Sequence, residues 1–356
     1  MLVGVAEDGV KNPSAAVTLR LMRVVRAAGF DALIVSTRWQ RPETAPPRAE
    51  LRLLRNVARA ARALHIRVFL IVGHGLSGGT PRTPEERQQL AAFAAVYARA
   101  LPSVRDFIVD NEPNLNTFWM PQFDGGGHDA AAAAYFDLLA RTYDALKAIS
   151  PRIDVIGGAL ASRGLDRPGT PRDTHSPTVF IRDLGGAYRA SGRKRPIMDA
   201  LALHPYMGSS AIPPTLAHRR SKTITFADYP RLTTLLGDTF DGTAQPGSRL
   251  PIFYTEFGVQ SRISPRDRAG YTDLASPTAR DAVSEPTQSA YYRQALALAF
   301  CQPSVRGVFV FHVWDEPDLR GWQSGLYYVD RRPKSSLAAF RDAAAAVRAG
   351  AIAHCG

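Results

Sequence analysis

The chain is short of cysteine, short of lysine and free of long apolar runs, and each shortage excludes something. Two cysteines, Cys301 and Cys355, stand among 356 residues. They cannot build a zinc site alone, and they form no CxxC pair. No window reaches the roughly 18 consecutive apolar residues that a membrane-spanning helix needs, so no membrane partner is expected. No basic segment followed by an apolar segment opens the chain. Strand-like sequence begins at Leu2, as in a product from which a leader has been trimmed. A secreted or extracytoplasmic location is the expectation, with a cytoplasmic one left open. Lys11, Lys147, Lys194, Lys222 and Lys334 are the only lysines among 44 basic residues, and the arginines scatter along the whole length. Against 32 acidic residues the formal charge is +12. A nucleic-acid binder concentrates such charge in a patch or stripe. Here there are only short runs such as Arg193-Lys194-Arg195, so no nucleic-acid partner is expected.

What remains is an ordinary globular composition, 45% hydrophobic and 21% charged. No low-complexity linker and no shift in composition divides it, so residues 1–356 read as one domain. Short apolar or β-branched runs alternate with Ala/Leu/Arg-rich amphipathic stretches. The predicted strands are Leu2–Ala6, Ala32–Ser36, Val68–Val72, Asp106–Val109, Asp154–Gly157, Met198–Leu203, Pro251–Tyr254 and Gly307–Phe311, each followed by a predicted helix. Thr83-Pro84-Glu85-Glu86 is a helix start, with a capping Thr, Pro in the first turn and acids beside the helix dipole. Continuously apolar strands such as Val68–Val72 fit a parallel sheet covered on both faces. Eight strand–helix units in a row point to a (β/α)8 TIM barrel in a single domain. No glycine-rich phosphate loop follows the first strand, which argues against a doubly wound sheet. The long connections all follow strands, where a barrel builds its site. The longest, Gln260–Pro286, reads as a lid or wall.

Helices 7 and 8 of such a barrel are neighbours running toward the same face. A disulfide between Cys301, at the end of helix 7, and Cys355, just past helix 8, is geometrically reasonable, with two free thiols as the alternative.

Two strand ends carry carboxylates. Strand 4 runs into Asp110-Asn111-Glu112-Pro113-Asn114, and strand 7 into Thr255-Glu256-Phe257-Gly258. The two strands face each other across the barrel mouth. A facing pair of carboxyls, one protonated and one ionised, is what cleavage of a glycosidic bond needs.

With these residues the chain resembles the clan A retaining glycoside hydrolases, especially the cellulase-like family 5 and family 39 relatives. Asn111-Glu112-Pro113 matches the family's Asn-Glu-Pro, which implies Glu112 as acid/base and Asn111 on the sugar 2-hydroxyl. Thr255-Glu256-Phe257-Gly258 matches the nucleophile strand. His204-Pro205-Tyr206 resembles a His-x-Tyr whose Tyr hydrogen-bonds the nucleophile, His74-Gly75 resembles a His-Gly, and Trp314 resembles the aromatic floor of the sugar subsite. One departure stands out: the strand-2 arginine that usually supports the nucleophile aligns with Ile34, and Arg38, four residues on, is the candidate to reach in instead.

The resemblance implies a retaining hydrolase acting through a covalent glycosyl-enzyme, and the long loops after strands 6 and 7 lean toward a closed pocket, hence exo action on small or plant-derived glycosides. The resemblance also implies no cofactor and a carbohydrate or glycoside substrate. A transglycosidase, or a carbohydrate-binding barrel without activity, is the alternative. Trp39, Trp119, Trp314 and Trp322 fall in or near post-strand loops, where rings stack on sugars; Trp119 is counted with Trp314 as substrate-binding. His74, His204 and His312 end strands, but a metal-dependent barrel hydrolase carries His-x-His after strand 1, where this chain has Glu7-Asp8, so no metal is expected. Glu7 is a candidate for sugar hydroxyls. Oligomeric state is unread.

Overall fold

The computed structural model describes residues 1–275 and 280–352. Eight parallel strands close into a barrel in chain order, with the eighth pairing the first. They are β1 Leu2–Ala6, β2 Ala32–Ser36, β3 Arg67–Val72, β4 Asp106–Val109, β5 Asp154–Ala161, β6 Ala200–His204, β7 Ile252–Phe257 and β8 Val305–Phe311. The helices between and after them are α1 Ala15–Ala27, α2 Arg48–Leu64, α3 Pro84–Ala100, α4 Ala130–Lys147, α5 Pro177–Ala190, α6 Tyr229–Phe240, α7 Glu285–Phe300 and α8 Ser336–Ala349. This is the expected (β/α)8 barrel. α3 begins as its sequence signals: Thr83 accepts from the Glu86 N–H, and the Glu86 carboxylate accepts from the Thr83 N–H. Among the described residues no helix is long and apolar enough to cross a membrane. Cys301 caps α7; Cys355, its expected partner, lies outside the described residues.

Strand periodicity creates two cores. One set of side chains points into the barrel, where Ile34, Phe69, Ile108, Ile156, Phe253 and Phe309 pack together. The Phe69 ring meets Phe253 and Phe309 edge-on, at centroid distances of 5.2 and 4.9 Å. Gly4 makes room for this layer, because a Cβ there would sit 2.2 Å from the Phe309 ring. The other set packs outward against the helices and forms the larger core. Below, Arg67 clamps the buried Asp106 with two hydrogen bonds of 2.7 and 2.6 Å and lies 3.2 Å from Asp154. This ion cluster joins the starts of β3, β4 and β5, at the end of the barrel opposite the strand ends that carry the carboxylates.

Three strands run beyond their sequence-predicted ends, β6 by one residue, His204. β5 continues through Gly158 by a bulge at Ala159, whose φ is +48°. β7 continues to Phe257 across a register shift, so Glu256 lies within the strand.

Candidate active site

The turn after β4 carries the first carboxylate. Asp110 and Glu112 both have positive φ, +65° and +41°. Side chains other than glycine rarely adopt this conformation, and it persists only where surroundings hold it. The holding contacts are visible. Asp110 N–H donates to Val72 O at 3.0 Å, Glu112 N–H to Ala159 O at 3.0 Å, and Leu115 N–H to Glu112 O at 2.9 Å. The β5 bulge therefore supplies the acceptor that fixes Glu112. Asp110 Oδ1 accepts from the Asn111 N–H at 2.9 Å, and its Oδ2 lies 2.8 Å from Nε2 of His74.

Glu256 projects from β7 toward Glu112. His204, the last residue of β6, stands between them: its Nδ1 is 2.9 Å from Glu112 Oε1 and 3.6 Å from Glu256 Oε2. Contacts of 2.9 and 3.6 Å to one nitrogen cap the separation of those two oxygens at 6.5 Å. Tyr206 O–H donates to Glu256 Oε2 at 3.3 Å.

Burial pushes the Glu256 carboxyl above the ordinary range; His204 pulls it back, the Glu112 charge adds to the rise, and His312 and the Tyr206 hydrogen bond oppose it. Burial works against the His204 cation, yet the two carboxylates outweigh it, and His204 is raised. No arginine pairs with Glu256 among the described residues, in keeping with Ile34 on β2. The cationic character beside this carboxylate comes from histidines.

Two adjoining cavities meet at Glu256. The larger, about 560 Å³, lies over β5–β7 and is lined by Glu112, Glu256, Tyr206 and Trp322 among others. The smaller, about 320 Å³, lies over β1–β3 and is lined by Glu7, Arg38, Asp110, Glu256 and His312 among others. Asn111, Phe118, Glu256 and Phe311 line both. The Asn111 Oδ1 is buried without a hydrogen-bond partner and stands at their junction.

Glu112, Glu256, Asn111, His204 and Tyr206 thus converge as the sequence suggested, and the other candidates are placed differently. His74 is buried, turns Nδ1 toward Leu76 O at 3.4 Å and lines neither cavity; it braces Asp110 rather than meeting a ligand. Trp119 is buried too, packed against His74 and Tyr135, so it is a core residue. Trp314 lines neither cavity, and the Arg331 guanidinium lies 5.8 Å from its ring. The aromatic wall is Trp322 instead, whose ring sits 5.1 Å from Tyr206 and 5.7 Å from Phe311. Trp39 is buried. Arg38 is exposed on the rim of the smaller cavity and does not pair with Glu256. Glu7 lines that cavity, but its oxygens already accept from the Gly9 and Val313 N–H groups at 2.8 and 3.1 Å. Burial is the main force raising its pKa, against His312.

Phe311 and Phe118 were not anticipated. Phe311 was legible in principle, because it shares the inward face of β8 with Phe309. Among the described residues no group of three or more His, Cys, Asp or Glu side chains is arranged to hold a metal ion.

No family model and no curated protein sequence matches the chain. Solved structures do. The GH39 enzyme from Xanthomonas axonopodis pv. citri matches 95% of this chain at 18% identity with a TM-score of 0.59, and the chain spans 65% of that enzyme's length. A monomeric beta-xylosidase from Caulobacter crescentus matches 95% of the chain at 19% identity with a TM-score of 0.57, the chain spanning 66% of it. GH5_18 from Streptomyces cattleya, in complex with GlcNAc, matches 98% at 18% identity with a TM-score of 0.61, the chain spanning 80% of it. At such identities the likeness is one of fold.

Proposed function

We propose that the protein is a retaining O-glycosidase, with Glu256 as nucleophile and Glu112 as acid/base. The observation that carries this reading is the shared imidazole: two strand-end carboxylates reach one His204 nitrogen at the junction of two cavities. Retaining enzymes hold their carboxyls about 5–5.5 Å apart and inverting ones about 6.5–9.5 Å, to admit a water. The two oxygens that face His204 are at most 6.5 Å apart, at or below the lower edge of the inverting range, which favours direct attack.

Glu256 attacks the anomeric carbon as the glycosidic C–O bond breaks, and Glu112 gives its proton to the departing oxygen. An ester then joins the sugar to Glu256. Glu112, now a base, takes a proton from water, whose oxygen attacks the same carbon and releases Glu256. The His204 cation and the Tyr206 hydrogen bond pull Glu256 toward its carboxylate form, while burial and the Glu112 charge leave its ionisation above the ordinary range. Asn111, with Oδ1 free at the junction, is placed for a sugar hydroxyl. The resemblance in sequence and the glycoside hydrolases among the structural neighbours support the same chemistry. Long loops after β6 and β7 wall the larger cavity and limit its size, in keeping with small glycosides as substrates.

The experiment is a panel of aryl glycosides of different sugars, assayed with wild type and Glu256→Ala. Release of aryl alcohol by wild type and its loss in the variant is expected. No release on any glycoside, or equal rates in both proteins, overturns the reading.

A further inference from the structure

Building on that glycosidase reading, we propose that the leaving group is an apolar alcohol, so that the substrate is an amphiphilic glycoside with an alkyl, aryl or polycyclic aglycone. The position of the acid decides where the leaving group lies. Glu112 lines only the larger cavity, whereas Glu256 lines both. A proton delivered from Glu112 reaches an oxygen on the larger side, so the aglycone occupies that cavity and the glycosyl unit the smaller one.

The larger cavity has a mixed wall, with more apolar than polar free surface. Leu115, Phe118, Met207, Ile212, Val259 and Trp322 contribute to its wall. Most of its polar groups are already used within the protein. Ser162 O–H donates to Tyr206 O at 2.7 Å, and Ser209 Oγ accepts from the Ala211 N–H at 3.2 Å. Ser210 accepts from the Gln260 N–H at 3.0 Å, while Asp281 accepts from the Ser210 N–H at 2.8 Å. The first joins the β5 and β6 loops, the second lies within the β6 loop, and the last two tie the β6 loop to the β7 loop. Arg163, on the rim, Gln260 Oε1 and, at the junction with the smaller cavity, Asn111 Oδ1 remain uncommitted. A second sugar would find few uncommitted side-chain partners for its several hydroxyls, and unpaired buried polar groups are costly.

A separate observation agrees. The exposed large hydrophobic side chains of the described residues are Leu76, Met120, Leu165, Leu216 and Leu274, 37–58% exposed. Single exposed apolar residues are unremarkable. Their distribution is not, because all five lie on loops that follow strands, after β3, β4, β5, β6 and β7 in turn. Among the described residues, the exposed large apolar side chains thus lie on loops at the face with the catalytic mouth.

The test begins with the sugar found in the aryl glycoside panel. Methyl, butyl, hexyl and octyl glycosides of that sugar are compared with a disaccharide carrying it at the non-reducing end. Alkanols have nearly equal acidity, so the bond-breaking chemistry is constant and only burial varies. kcat/KM is expected to rise about 2–4-fold for each methylene the cavity covers, the octyl glycoside is expected to outrun the disaccharide, and Ile212→Asn is expected to flatten the series. A flat wild-type series, or a disaccharide cleaved tenfold faster than the octyl glycoside, overturns the inference and leaves the glycosidase reading intact. Cleavage of no glycoside in the panel removes that reading and this inference with it.

Discussion

Replacing Tyr206 by Phe removes one hydroxyl from the environment of Glu256 and nothing else. That hydroxyl donates to Glu256 Oε2 at 3.3 Å, longer than the common 2.5–3.0 Å range for an O–H donor. A hydrogen bond to a charged group contributes about 1.5–3 kcal/mol, and the length places this one near 1.5. One pKa unit corresponds to about 1.36 kcal/mol, so the loss amounts to roughly one unit. The bond stabilises the carboxylate, and its removal moves the Glu256 ionisation upward. The other groups facing this carboxylate, namely His204, Glu112 and His312, remain in the variant. Because the nucleophile works ionised, activity falls as pH drops through that ionisation. The acid limb of the kcat/KM profile reports it in the free enzyme, as a property of the coupled pair. In Tyr206→Phe that limb is expected to move up by about one pH unit, measured with a good aryl glycoside. A limb that stays within about 0.3 unit of wild type, or moves down, refutes the assignment of Tyr206 and Glu256.

Glu112→Ala is expected to lower kcat/KM by about 10²–10⁴ for alkyl glycosides and to spare aryl glycosides with acidic leaving groups, measured as a plot of rate against leaving-group pKa. Asp129, the N-cap of α4, is pushed up from 3.8 to about 7, chiefly by burial. A raised carboxyl stabilises the fold below its unfolded pKa and loses that stability as pH rises through 7. Asp129→Asn keeps a capping oxygen for the Ala132 N–H and abolishes the titration. It is expected to match wild type near pH 4 and exceed it at pH 8 by about 2–4 kcal/mol, read from urea unfolding at both pH values. Lys334 and Asp315 form a fully buried ion pair at 2.6 Å, and Lys334 also donates to Ser261 Oγ and Gln323 O. Lys334→Met strands the Asp315 charge and is expected to cost about 3–5 kcal/mol of unfolding free energy.

The barrel was legible because its strands are buried on both faces and its helices carry caps such as Thr83. Boundaries failed where local signals misled. Gly157-Gly158 reads as a strand end, yet β5 bulges at Ala159 and continues, and Glu112 depends on that bulge. The carboxylates were legible because strand ends fix their position. The aromatic wall was not. Trp314 and Trp322 share one loop, and which ring faces the cavity is set by its path. Glu316 N–H donates to Trp322 O at 2.9 Å, and Lys334 draws Asp315 and Gln323 together. Such contacts depend on residues far apart in sequence and leave no local pattern. His74 shows the same limit from the other side: a motif placed it at the mouth, but Asp110 and Trp119 enclose it.

The most direct measurement is the anomeric configuration of the first product, followed by proton NMR during early hydrolysis of an aryl glycoside. A sugar released with the configuration of its substrate, mutarotating only afterwards, is the expected result for a double displacement at Glu256. A first product of opposite configuration would mean that water, not Glu256, attacks the sugar, and would contradict the account.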